Sequence, residues 1–495
     1  MKSLYTISVV IVLPFPSVSR GQTFKKYIAG TYAQVGTAIH RNTDGGCILA
    51  GYTKSFGSVG NYDLYLVRTD STGNMMWTRT FGTSGIEMGD AVVQTADSGF
   101  LASGQSMGRI YLVRTDPNGD LMWSRTYGGP TGSSGYGLAN THDGGAILVG
   151  TTADYPAASN IFAVRTNDMG DTVWTRTFDF GAETDIAYSV CTAPGGGFII
   201  AATRMSTYYR MELLRITDDG NLMWNKEFYL YSWGEGRSVI ATSDGGFMVA
   251  GSVNNDTCLL KLDSTGTTQW AKTYPSSEGD YSVAYAVQQT MDGGFVVSGN
   301  QSFDDWLMRT DALGDTLWQH AYSYASPMAV TPIDNGGYAL CTTSYNDLIF
   351  LRTDVGGNIP CDQLTIPTEV NDVTPNVSSP ALTSGHLAGM GMPMTVQGSG
   401  GVFTTECEST GLAEVGTGPH CLISPNPAND HCTVAFGTSH FDALEVMTMQ
   451  GAVLRRMSTR GRSQMEVPLQ DLAQGPYLIH LIGPVPQNLR LSVVR

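Results

Sequence analysis

The chain has 495 residues, of which 15% are charged and 59 are glycine, and its 28 basic against 44 acidic residues leave a net charge of −16. Nucleic acids and anionic membrane surfaces attract basic patches, so this balance argues against both as partners. Eight cysteines are too few to build a scaffold of this length from disulfides, but they fit an oxidising compartment.

In chain order, residues 1–21 read as an export signal: Lys2, an apolar run from Leu4 to Val18, then small Ser19 and Gly21 ahead of a cut before Gln22. Pro14 and Pro16 interrupt the run, and no other stretch is long and apolar enough to span a membrane. The mature chain is therefore expected to carry no transmembrane segment.

From residue 22 to 361 one pattern repeats seven times. Its second half is a hairpin, VRTDSTGNMMWTRTFG at Val67 to Gly82, with turn glycines recurring at 73, 119, 170, 220, 266, 314 and 357. Its first half is another hairpin, with turns at Asp44-Gly45-Gly46, Asp97-Ser98-Gly99, Asp143-Gly144-Gly145, Gly195-Gly196-Gly197, Asp244-Gly245-Gly246, Asp292-Gly293-Gly294 and Asn335-Gly336-Gly337. Asp-Gly and Asn-Gly favour tight hairpins because glycine adopts positive φ without a Cβ clash. Two hairpins make four strands, a to d, and seven such units predict an all-β, seven-bladed β-propeller of four-stranded blades. The seventh unit lacks strand d, whereas Phe24 to Gly36 aligns without a gap on Trp77 to Gly89. The N-terminal strand is thus expected to close the ring, with Phe24 at the tryptophan position.

Asp-x-x-Gly-x-x-x-Trp, at Asp70/Gly73/Trp77, Asp116/Gly119/Trp123, Asp263/Gly266/Trp270 and Asp311/Gly314/Trp318, resembles the tryptophan-docking repeat of quinoprotein propellers. That resemblance implies blade architecture: the indole packs between blades and the acid caps the turn. The vicinal cysteines that many such dehydrogenases place beside the quinone are absent, so no cofactor is expected. The sialidase Asp box has a closer spacing and does not fit. The unit as a whole resembles propeller repeats common in exported proteins of Bacteroidota, which implies fold rather than activity.

No nucleophile, metal or phosphate-loop motif stands out, and neither a metal site nor a catalytic residue is assigned. Departures from the repeat are the better guide. Blade 4 carries Tyr208 and Tyr209 between strands b and c, and Tyr231, Trp233 and Glu235 lie after its strand d; these are expected to share a face. Aligning the start of each strand a gives a ring of Thr37, Asp90, Tyr136, Tyr188, Arg237, Tyr285 and Met328, a position of mixed chemistry at the expected mouth of the central channel. Aromatic rings beside a carboxylate suit sugar stacking or a peptide.

Residues 362–417, rich in Pro, Ser, Thr and Gly, read as an extended linker with one hairpin around Gly398 to Gly401. Cys47, Cys191, Cys258 and Cys341 fall in predicted strands and read as buried thiols. Cys361 with Cys407, and Cys421 with Cys432, are candidate disulfides. Residues 418–495 return to strand patterns. Pro425-Asn426-Pro427-Ala428, the turn at Gly451, Gly475 with Tyr477, and a final apolar strand with Arg490 and Arg495 resemble the type A C-terminal sorting domain of the type IX secretion system. The resemblance implies a small Ig-like β-sandwich recognised by that machinery and often cleaved on export.

Together these features point to a monomeric, secreted or surface-attached propeller that binds a glycan or protein through its variable loop face. The alternatives are an extracellular carbohydrate-active hydrolase or lyase with its site at the channel mouth, and a purely structural surface protein.

Overall fold

The computed structural model describes residues 22–493 apart from 58–59, 130–131, 155–158, 182, 230–232, 277–280, 302–303, 323–328, 335, 345, 362, 366–369, 386–389, 409–421, 425–428, 437–440, 449–452, 460–461 and 483–486. The chain divides into two units, Met1–Thr410 and Gly411–Arg495. In the first, blade 1 runs from strand a (Gln34–Arg41) through b (Cys47–Thr53) and c (Asp63–Thr69) to d (Met75–Gly82). Five more blades repeat that order up to Thr316–Tyr322. Each strand a touches the strand a of the next blade, and Ala329–Pro332 of blade 7 touches Gln34–Arg41 of blade 1, so the ring is closed. Blade 7 takes its strand d from Phe24–Ile28, with Phe24 opposite Arg352 as Trp77 is opposite Arg68.

Repeated residues explain the repeated geometry. Asp70 Oδ1 accepts hydrogen bonds from the Thr72 and Asn74 N–H groups at 2.9 and 2.8 Å, fixing the c–d turn. Gly119 has φ +80 and faces Trp77 so closely that a Cβ there would lie 2.9 Å from the indole. Gly170, Gly220, Gly266, Gly314 and Gly357 face Trp123, Trp174, Trp224, Trp270 and Trp318 in the same way, and Gly73 faces Phe24. Each aromatic ring of one blade thus docks on the turn of the next, burying a large apolar area at the seam. The cation two residues on seals the joint: Arg79 lies 5.5 Å over the Trp77 ring and donates to the Asn118 carbonyl at 3.0 Å. Within a blade, an ion pair ties strand c to the a–b turn: Arg114 with Asp97 at 2.6 Å, and likewise Arg68 with Asp44, Arg165 with Asp143, Lys261 with Asp244 and Arg309 with Asp292.

In its described residues, the segment expected to be a linker pairs with the blades. Leaving blade 7, it circles the propeller backwards and adds a fifth, outer strand to every blade: Gln363–Thr365 to blade 6, Asn371–Asp372 to blade 5, Asn376–Ser378 to blade 4, Thr383–Gly385 to blade 3, Met390–Gly391 to blade 2, Val396–Gly398 to blade 1 and Phe403–Glu408 to blade 7. It therefore ends on the blade it left, where a disulfide between Cys361 and Cys407 fastens it. The expected hairpin around Gly398 does not form, because the strands on either side of it pair with blades 1 and 7 instead of each other. This belt covers seven strand edges that would otherwise present unpaired backbone groups. Side chains lock it down: the Gly400 carbonyl accepts from Tyr65 Oη at 2.6 Å and Thr78 Oγ1 at 2.9 Å, and Lys25 pairs with Glu406 at 2.8 Å.

In the second unit, a three-stranded sheet (Leu422–Ser424, His431–Ala435, Gln464–Pro468) and a four-stranded sheet (Val453–Ser458, Ala443–Thr448, Gly475–Ile482, Gln487–Val493) share one core, in which Val434 and Val467 meet Leu444 and Ile479. Cys432 is a buried free thiol there, and Cys421, the partner expected for it, lies outside the described residues. The described residues contain no helix long and apolar enough to cross a membrane.

Candidate functional site

The ring positions share a backbone feature that the sequence reading missed. In six blades the pairing of strands a and b skips one residue, and those residues are Thr37, Asp90, Tyr136, Tyr188, Arg237 and Tyr285. A β-bulge releases its extra residue from the in-out alternation and re-aims the side chain. Gly36, Gly89, Gly135, Ala187, Gly236 and Ala284 precede the six, a small-residue signal readable in hindsight. Met328 lies outside the described residues.

Four of the six form one continuous surface. The Tyr136 and Tyr188 rings are 5.5 Å apart, and the Arg237 guanidinium lies 4.1 Å over Tyr188 and 5.9 Å from Tyr285. Glu235 holds that guanidinium through Nε at 2.7 Å and Nη2 at 2.6 Å, so the pair carries no net charge. Asp90 lies within electrostatic reach of Tyr136 and Tyr52. Desolvation pushes its carboxyl up to about 8, and its buried Oδ2 has no hydrogen-bond partner. Thr37 stands apart, its hydroxyl donating to the Gly89 carbonyl at 2.7 Å.

The blade 4 aromatics adjoin this surface. Tyr209 and Trp233 have ring centroids 4.6 Å apart, with Tyr209 within electrostatic reach of Tyr188. Trp233 and Tyr208 are 46% and 47% exposed, and Tyr231 lies outside the described residues. Tyr281, which the sequence reading did not single out, is 42% exposed and within electrostatic reach of Glu235, Arg237 and Tyr285.

Blade 4 departs from the repeat inside as well. Glu212 occupies the strand c position that holds Tyr65, Tyr111, Phe162 and Trp306 in other blades, and Glu227 replaces Thr80, Thr126, Thr177 and Thr273 in strand d. The two glutamates are register partners and both are buried. Glu227 accepts from Arg210 at 3.0 Å, Arg204 at 3.3 Å and Ser378 of the belt at 3.2 Å. Burial, then the neighbouring Glu227 charge, raise Glu212 well above the ordinary carboxylate range, which favours its protonated form. Burial likewise pushes Asp185 up to about 7. Aligning the strands c would have exposed this substitution. Among the described residues no group of three or more His, Cys, Asp or Glu side chains is arranged to hold a metal.

Solved structures with related shape include YCF48 from Cyanidioschyzon merolae (10% identity, TM-score 0.43, covering 66% of this chain and 98% of that one). Others are a puromycin hydrolase (12%, 0.41, 67% and 55%) and the PQQ-bound aldose sugar dehydrogenase of Streptomyces coelicolor (12%, 0.37, 59% and 98%). The propeller architecture rests on the strand order itself. No curated protein matches the sequence. Of the sorting-motif residues, Pro425, Asn426, Pro427, Ala428 and Gly451 lie outside the described residues, and Gly475 opens the strand Gly475–Ile482. Residues 422–484 match the secretion system C-terminal sorting domain, which implies export by the type IX secretion machinery and either release or attachment at the cell surface.

Proposed function

We propose that the propeller binds a neutral glycan across the face where blades 4 and 5 meet. The observation that carries this reading is the run of rings from Trp233 and Tyr209 through Tyr188 and Arg237 to Tyr285, flanked by exposed Tyr208 and Tyr281. Rings of this kind present flat apolar faces with polar edges, which suits sugar C–H faces and hydroxyls. Charge favours a neutral ligand: Glu235 neutralises Arg237, burial favours the protonated form of Asp90, and the chain carries −16 overall. An array of neutral and acidic oligosaccharides with peptide controls tests this. Retention on neutral glycans is expected; retention on peptides alone favours a protein ligand, and no retention overturns the reading. One observation favours a hydrolytic alternative: Asp90 has the raised pKa of a general acid and sits on the ring. Turnover of a retained glycan that is abolished in Asp90→Asn would support it.

A further inference from the structure

The ion pair at the centre of the aromatic run leaves part of each partner unengaged. Both contacts between Arg237 and Glu235 fall on one carboxylate oxygen, with Nε 2.7 Å and Nη2 2.6 Å from Oε2. Among the described residues, Glu235 Oε1 accepts no hydrogen bond and Arg237 Nη1 donates none, and neither atom is sealed from solvent. A guanidinium carries more donors, and a carboxylate more acceptor sites, than this contact engages. The pair also breaks the repeat: blade 5 alone has both an acid and a base at these two positions of strand a.

What surrounds the pair decides how a ligand meets it. Tyr188 backs the guanidinium at 4.1 Å, Tyr209 and Trp233 continue the run beyond Tyr188, and Tyr285 with Tyr281 continues it beyond Arg237. A sugar ring over the pair therefore has aromatic platforms before and after it, as an internal unit of a chain needs. Each hydroxyl both donates and accepts, and hydroxyls on neighbouring ring carbons stand side by side. One can donate to Oε1 while the next accepts from a free guanidinium N–H, and hydrogen bonds to charged groups are the stronger kind. Resting on the glycan reading above, we propose that Glu235 and Arg237 read a vicinal diol on an internal sugar unit, so that the ligand is a neutral polysaccharide whose linkages leave such a diol free. In a chain of pyranose hexoses a 1,4-linkage leaves the 2- and 3-hydroxyls free, whereas a 1,3-linkage leaves no two neighbouring hydroxyls.

Calorimetry of the full chain against 1,4-linked and 1,3-linked hexasaccharides of glucose, mannose and galactose tests the pair. Wild type should favour the best 1,4-linked saccharide over its 1,3-linked isomer by about tenfold or more, the worth of one hydrogen bond to a charged group. Glu235→Leu/Arg237→Met removes both charges together at similar volume, so it should keep its melting temperature and lose that preference. Trp233→Ala removes a stacking surface that is blind to linkage and should weaken both isomers by the same factor. Equal wild-type affinity for the two isomers, or an unchanged preference in the double variant, would overturn the proposal while leaving the glycan reading intact. Binding of neither linkage class would overturn it too, and retention on the wider array then decides whether the glycan reading falls with it.

Discussion

Breaking the Cys361–Cys407 disulfide should free the belt and leave the blades standing. The bridge closes a loop with a sequence separation of 46, for which the chain-entropy relation gives about 4 kcal/mol at 25 °C. Except for Phe403–Glu408, each belt strand has only two or three residues, too few to hold singly, so they stay paired as a set. An energy of about 4 kcal/mol corresponds to roughly a thousandfold change in a local opening equilibrium. Hydrogen exchange read by mass spectrometry should show amides of Phe403–Glu408 losing protection by up to that factor in Cys361→Ser/Cys407→Ser. Inner strands such as Phe162-containing Asn160–Thr166 should be unchanged. Unaltered protection at 403–408 would refute the idea of a clasp, and equal loss in the inner strands would refute the belt as a separate unit.

Three further outcomes follow from the packing. Trp123→Ala removes the ring docked on Gly170 and should cost about 3 kcal/mol in denaturant unfolding, at the low end for a tryptophan because the ring is only half-buried. Glu227→Ala removes the carboxylate that pairs Arg210 and leaves Arg204 on Glu183 alone, and should cost about 2 kcal/mol, whereas Glu212→Gln, which keeps the shape and hydrogen-bonding capacity of the protonated acid, should change stability far less. Asp90 titrates in the folded state at about 8 against an ordinary 3.8. Its contribution is thus full below the unfolded value and lost as pH rises through the folded one. Wild-type stability should decline over that window relative to Asp90→Asn, and parallel stability curves for the two proteins would contradict the burial of that carboxyl.

Much of the scaffold was legible because it repeats. Gly73 and its six counterparts mark turns that need positive φ, and the tryptophans follow at a fixed distance, so blade number and closure through Phe24 could be read directly. The belt could not. Its strands are too short to show a period of two, its Pro, Ser, Thr and Gly content is that of a free linker, and its partners lie up to several hundred residues away. Only the cysteines that bracket it hinted at closure. The ring residues were found by alignment, but the bulges that aim them arise from strand pairing and leave no trace beyond a preceding Gly or Ala. Glu212 was hidden because charged residues are expected at surfaces, and only its register with Tyr65 and Tyr111 reveals a buried position.

If repeated residues are scaffold and broken ones bind, two tryptophans should behave oppositely. Trp318 docks on Gly357 within the repeat, whereas Trp233 is 46% exposed where the repeat breaks. The most direct measurement is calorimetric affinity for a glycan retained on the array, taken with the melting temperature, for wild type, Trp233→Ala and Trp318→Phe. Trp233→Ala should weaken binding by about 30-fold or more, the loss of about 2 kcal/mol typical of an anchor residue, at an unchanged melting temperature, while Trp318→Phe should melt earlier and bind as wild type does. Wild-type affinity in Trp233→Ala, or a loss of binding confined to Trp318→Phe, would contradict that division.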